Sequence, residues 1–217
     1  MARGAIAKWH AGRLDYIVEE LPDERESRFN DVIADPAGRV FCGTMGTPAR
    51  PGRLYRLDLD GSLHLLLEGV GVSNGMGFTP DDRQMYYTDS SLGRIYLFDY
   101  YEKTGGLTHQ RVWVEAPEGA GAPDGLTVDA QGYVWSARWG GAALYRYTPN
   151  GVEERRIELP AKKVSSVTFG GDDLSDLYVT TALEDGAKAD EGAGAGALFR
   201  LRLGIRGLPE FFSRVRI

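Results

Sequence analysis

The sequence predicts an all-β fold built as a propeller, on two repeats and one missing pattern. One strand-like unit occurs five times and a second occurs four times. No window carries the apolar i, i+3, i+4, i+7 stripe of an amphipathic helix over three turns. Glycine, present 29 times, punctuates short alternating segments, which is the pattern of strands joined by turns.

Taken in order, the chain opens with GAIAKWH from Gly4, a turn at Gly12 and a second strand from Leu14. A longer unit, NDVIADPAGRVFCGT from Asn30, then precedes GRLYRLD from Gly52, which runs through a turn at Asp60-Gly61 into another strand. The same succession follows twice more. NGMGFTPDDRQMYYTD from Asn74 leads to GRIYLFD from Gly93 and the Gly105 turn, and DGLTVDAQGYVWSAR from Asp124 leads to AALYRYT from Ala142 and the Asn150-Gly151 turn. Last come SSVTFGGDDLSDLYVTT from Ser165 and GALFRLR from Gly196. Each succession is strand, turn, strand, loop, strand, turn, strand within roughly 40 to 50 residues, the size of a four-stranded propeller blade. A β-sandwich also has short strands and turns, but it does not require five aligned copies of one of them.

Three complete blades are expected between Arg28 and Leu159, with partial blades on either side, so the chain covers about four to five blades. We expect residues 1–217 to form a single β-propeller domain that is incomplete at its N-terminus, entered at the third strand of a blade. An open ring exposes strand edges, which a partner could cover. The segment LEDGAKADEGAGA, Leu183 to Ala195, is poor in apolar residues and is expected to be a mobile surface loop or a lid beside the channel.

Composition narrows the function. A net charge of −6 without a basic cluster argues against nucleic acid. No apolar run approaches the roughly 20 residues needed to cross a bilayer, and the N-terminus lacks the apolar core of a signal peptide. The single cysteine, Cys42, reads as a small buried strand residue and suits a reducing, cytoplasmic compartment. His10, His64 and His109 form no motif and read as surface residues, while Trp9, Trp113, Trp135 and Trp139 read as packing between blades. There is no Gly-x-Ser-x-Gly elbow, Cys-x-x-Cys pair or phosphate loop.

The first strand of every blade lies nearest the propeller axis, so Asn30, Asn74, Asp124 and Ser165 should form a column at one mouth of the channel. Their oxygen donors suit a hard divalent cation. Asn-Gly and Asp-Gly are also ordinary turn dipeptides, and that reading stands beside the metal site. One carboxylate with neutral partners should bind a divalent ion weakly.

The motifs SRFNDVIADPAGRVFCGTM, VSNGMGFTPDDRQMYYTDS and APDGLTVDAQGYVWSARWGG resemble those of the gluconolactonase, regucalcin and senescence marker protein family. That resemblance implies a six-bladed propeller that hydrolyses sugar lactones with one divalent cation, Ca, Zn, Mg or Mn. It implies Asn74 and Asp124 as metal ligands, Asp124 also as general base, and Arg28 and Asn30 as substrate contacts. The family's third metal ligand is a glutamate in a Gly-Glu-Gly-Pro-like motif, which this chain lacks. The family's Asn-Asp-Gly is here Asn30-Asp31-Val32. The expected activity is metal-assisted hydrolysis of an aldonolactone, with a metal-activated water and a small-molecule substrate. A calcium-binding or scaffold propeller without catalysis, a truncated inactive homologue and a phosphotriesterase-like activity are the alternatives.

Overall fold

The computed structural model describes residues 3–184, 186 and 188–216. Strand β1 (Ile6–His10) pairs with β2 (Arg13–Val18) as a two-stranded sheet. Three four-stranded sheets follow: β3 (Phe29–Ala34), β4 (Val40–Thr44), β5 (Gly52–Leu57) and β6 (Leu63–Val70); β7 (Ser73–Phe78), β8 (Gln84–Asp89), β9 (Arg94–Tyr101) and β10 (Gly106–Glu115); β11 (Ala122–Val128), β12 (Val134–Trp139), β13 (Ala143–Tyr147) and β14 (Glu153–Glu158). The last sheet holds β15 (Val164–Gly170), β16 (Asp176–Thr181) and β17 (Leu198–Arg202). In every sheet the spatial order of strands is their chain order, which is the meander of a propeller blade. The fold is therefore the expected all-β propeller type, with three complete blades and a partial one on each side.

The described residues group into two compact units. The first comprises Met1–Asn74, Tyr101–Leu107 and Glu210–Ile217, and the second Gly75–Tyr100 and Thr108–Pro209. In the first, Phe29, Cys42, Tyr55 and Leu57 form a buried cluster, joined by Ile6 and Ile17 from the two-stranded sheet. Cys42 is buried as expected, and desolvation pushes its thiol up to about 12. In the second, alternation along β12 divides the side chains between two cores. Val134 enters a cluster with Tyr86, Ile95, Leu97 and Tyr145, while Trp135 and Ala137 enter another with Val164, Phe169 and Val179. Strands β7 and β12 are buried along nearly their whole length.

Each complete blade needs a tight turn after its first strand; a buried aspartate builds it in two of them, and in β7–β10 the Thr79 hydroxyl does so, bonding the Gln84 N–H. In β11–β14, Asp129 Oδ1 accepts from the backbone N–H groups of Gln131 (2.9 Å) and Tyr133 (3.1 Å). Its Oδ2 accepts from Trp135 Nε1 (3.0 Å) and from Arg146 Nε (2.9 Å) and Nη2 (2.6 Å). In β3–β6, Asp35 likewise accepts from the Arg39 N–H (2.9 Å) and Nε (2.6 Å).

Two expectations are corrected. Most of Leu183–Ala195 is tied down, not a free loop: it holds a short helix, α1 (Lys188–Glu191), and Lys163 Nζ donates to Glu184 (2.6 Å) and Glu191 (2.8 Å). Its Asp185 and Ala187 lie outside the described residues. The anchoring cation comes from outside the segment, so local composition did not reveal it. Trp9, expected in blade packing, is 67% exposed, because its sheet has two strands only. The other three tryptophans pack as expected: Trp135 is fully buried, Trp113 lies against the Tyr86 cluster and Trp139 lies under Lys163. The histidines are exposed, two of them beside aspartates, His64 with Asp58 and His109 with Asp99.

Candidate functional site

The column residues sit where their strands are irregular. In β3 the pairing register jumps between Phe29 and Asp31, in β11 between Pro123 and Leu126, and in β15 between Val164 and Ser166. Each jump gives the first strand one residue more than its partner, a β-bulge, which re-aims a side chain that the pleat would otherwise fix. Asn30, Asp124 and Ser165 all fall inside these bulges. Sequence spacing placed the column, but the bulge left no signal, because it is a matter of pairing and not of residue type.

Within the first unit, three of the predicted residues form one chain of hydrogen bonds. Arg28 Nη1 donates to Asn30 Oδ1 at 2.7 Å, and Asn30 Nδ2 donates to Asn74 Oδ1 at 3.1 Å and to the Ser73 carbonyl at 2.8 Å. A guanidinium can only donate, so it fixes the Asn30 oxygen toward itself and the Asn30 amide group toward Asn74. Asn30, held by three partners, is half-buried, Asn74 is buried and Arg28 is exposed, so the chain runs from solvent inward. The neighbouring Asp31 has its carboxyl raised above the usual carboxylate range by burial, with the Val32 N–H pulling the other way.

Within the second unit, Asp124 lies half-buried in the β11 bulge. The two Asx-Gly dipeptides are not turns. Gly75 and Gly125 lie inside strands β7 and β11, and their role is close approach of neighbouring first strands. A Cβ on Gly75 would stand 2.5 Å from both the Asp124 carbonyl oxygen and the Leu126 nitrogen, and one on Gly125 would stand 2.3 Å from Ser166 Oγ. Gly75→Ala is accordingly expected to cost roughly 1–3 kcal/mol of stability through overpacking. An unchanged urea midpoint would refute this account of the glycine. Ser90 Oγ adds a bond of 2.6 Å to the Pro123 carbonyl, holding the strand segment before Asp124 from the other side.

Ser165 does not behave as a ligand. Its hydroxyl pairs with Thr180 Oγ1 at 2.9 Å inside its own sheet, and it is Ser166 that faces Gly125. Among the described residues no group of three or more His, Cys, Asp or Glu gathers to hold a metal. The resemblance offers as oxygen donors one amide, Asn74, in the first unit and one carboxylate, Asp124, in the second. That pair fits in kind a cation that keeps several waters and takes only one or two protein carboxylates, as Mg²⁺ does. Ca²⁺ requires a fuller oxygen cage than these two residues provide.

Comparison with known proteins bears on this arrangement. The family model described as the SMP-30/Gluconolactonase/LRE-like region matches residues 2–183. Pentonolactonase XacC of Haloferax volcanii is 49% identical over 98% of this chain and 77% of its own length. Regucalcin of Danio rerio is 36% identical over 89% of this chain and 68% of its own. Among solved structures, a luciferin-regenerating enzyme is similar with a TM-score of 0.88 at 29% identity, covering 99% of this chain and 76% of that one. A calcium-binding protein, regucalcin, from Agrobacterium tumefaciens is similar with a TM-score of 0.85 at 30% identity, covering 95% and 71%.

Proposed function

Because this chain belongs to the SMP-30/gluconolactonase/LRE-like family, we propose that it is a lactonase that hydrolyses a sugar lactone to the aldonic acid. The observation that carries the reading is the hydrogen-bonded chain Arg28, Asn30, Asn74, whose geometry presents a fixed cation and fixed amides to a polyhydroxylated ligand. The similarity to a pentonolactonase makes five-carbon aldonolactones the first substrates to try.

Arg28, exposed at the end of the chain, donates to ring and exocyclic oxygens of the sugar. Asn30 orients both Arg28 and Asn74 and adds a contact to a sugar hydroxyl. Asp124 accepts the proton of the attacking water, acting as general base. Water adds to the lactone carbonyl, and the ring C–O bond breaks as the ring oxygen takes up a proton, giving the open aldonic acid. Asn74 and Asp124 would hold one divalent cation, which when bound supplies Lewis acidity at the carbonyl.

The test is hydrolysis of pentono- and hexonolactones followed by acid release in a pH-stat, with chelator and after adding back Mg²⁺, Mn²⁺, Zn²⁺ or Ca²⁺ in turn. Turnover that chelator abolishes and one of these ions restores is the expected result. Absence of turnover on every lactone and every ion, in a protein with intact circular dichroism, would sink the catalytic reading. Titratable Ca²⁺ binding in that same sample would favour a calcium-binding propeller, the role named for the Agrobacterium neighbour.

A further inference from the structure

Among the described residues three arginines are buried, Arg39, Arg138 and Arg146. Arg39 pairs with Asp35 and Arg146 with Asp129, each carboxylate fully buried. Arg138 has no carboxylate partner among the described residues, although it is 0% exposed. Its Nη2 donates to the Tyr147 hydroxyl, and its Nε and Nη1 have no partner at all. The ring of Tyr145 lies 4.8 Å from the guanidinium carbon and that of Tyr147 5.6 Å, and both faces supply some cation–π attraction. Tyr145 also carries Arg156 over its ring at 4.5 Å, so its partial negative charge is shared between two cations. Tyr147 does not balance Arg138 as a phenolate, since burial raises its hydroxyl above the ordinary tyrosine value.

An isolated buried charge is among the most expensive features a protein can hold, and a guanidinium cannot relieve it by deprotonating. Polar groups of the same layer share the shortage. Arg138 lies on the face of β12 that carries Val134 and Ser136, pairs with Ala143 on β13, and looks into the core between β7–β10 and β11–β14. Thr88 of β8 pairs with Ile95 of that same core, is fully buried, and has an unpartnered Oγ1. Ser136, also fully buried, has only a long bond of 3.4 Å to the Ala137 carbonyl. The Ser90 bond to Pro123, the cross-strand neighbour of Arg138, brings the end of β8 to this level. Two nitrogens of a buried cation and the Thr88 hydroxyl thus lack partners among the described residues in one buried layer, with the weakly bonded Ser136 hydroxyl beside them.

We propose that Arg138 is the centre of a buried site for a small monovalent anion of the halide class, in the layer between the β7–β10 and β11–β14 sheets. The guanidinium supplies N–H donors through two nitrogens, Nε and Nη1, and the Thr88 and Ser136 hydroxyls lie in the same layer. Full burial limits the ligand to a monatomic ion, and charge balance limits it to one negative charge. The site lies across β12 from the bulge that holds Asp124, and its test does not depend on lactone turnover.

Urea unfolding tests it, with chloride or bromide titrated at constant ionic strength against methanesulfonate. The wild-type protein is expected to be stabilised saturably, the unfolding constant falling about 100-fold when the halide reaches about 100 times its Kd. Arg138→Met is expected to fold and to lose that dependence, because an apolar side chain of similar length needs no counter-ion. A crystal soaked in bromide should show an anomalous peak within hydrogen-bonding distance of Nε and Nη1. An equal halide response in Arg138→Met, or a bromide-soaked wild-type crystal with no peak at Arg138, would overturn the proposal. The crystal decides the matter even if the variant does not fold.

Discussion

Asp124→Ala is expected to lower kcat/KM for a sugar lactone by about 10²- to 10⁴-fold, the usual worth of a positioned general base, with the fold retained. The side chain is half-buried in a bulge, and the backbone around it is held by pairing with β12 and by the Ser90 bond to the preceding Pro123 carbonyl. Removal of the carboxylate therefore takes away the proton acceptor while leaving the strand contacts in place. Asp124→Asn separates the two proposed tasks. It keeps an oxygen that can face a cation but cannot take a proton, so chelator-sensitive ion binding should weaken less than turnover. Steady-state kinetics beside urea midpoints read both quantities. If Asp124→Ala turned over at the wild-type rate, the assignment of the base would be wrong, although the family and fold would stand.

The second large effect concerns stability. Asp129→Ala should cost about 3–5 kcal/mol, the range for breaking a buried ion pair by removing one partner. Five donors converge on this one carboxylate, and its loss leaves Arg146, itself only 4% exposed, with a single remaining carboxylate, the partly exposed Glu154 at 3.3 Å. Arg146 also lies 3.9 Å from the Tyr133 ring and bonds Gln131 Oε1 at 2.6 Å, contacts that together with Glu154 soften the loss without restoring a fully buried counter-charge. The measurement is the urea midpoint at unchanged m-value. A double variant, Asp129→Leu with Arg146→Met, is expected to be less destabilised than the single one, because no charge is stranded. A double variant as unstable as Asp129→Ala would mean that the turn, not the charge, carries the energy.

Much of this was legible in the sequence for an identifiable reason. Blade strands are short, alternate, and end at glycine or Asx turns, so five copies of one strand and four of another located every sheet. The same register picked out Asn30, Asn74 and Asp124 as equivalent positions of successive first strands. What escaped was decided by pairing or by distant charge. The bulges depend on how two strands slip past each other, and no residue type marks them. Asn74-Gly75 and Asp124-Gly125 read equally well as turns, and only the packing of neighbouring first strands shows why glycine is required there. The segment after Leu183 reads as a loop because Lys163, which anchors it, lies twenty residues upstream of Leu183. Arg138 looks like any polar residue at the end of a strand, and its burial depends on how β12 packs.

The contrast between Trp9 and Trp135 has a spectroscopic consequence. Trp9 is the one tryptophan of the first compact unit and is 67% exposed, so its emission is already that of a solvated indole. Trp135, in the second unit, is fully buried and donates its Nε1 proton to a carboxylate, so its emission should shift to the red when that unit opens. Intrinsic fluorescence therefore reports the melting of one unit and is nearly silent on the other. A two-state trace recorded that way describes the Asp129 blade and its neighbours, and the first unit needs a probe of its own, such as the accessibility of the Cys42 thiol to an alkylating dye.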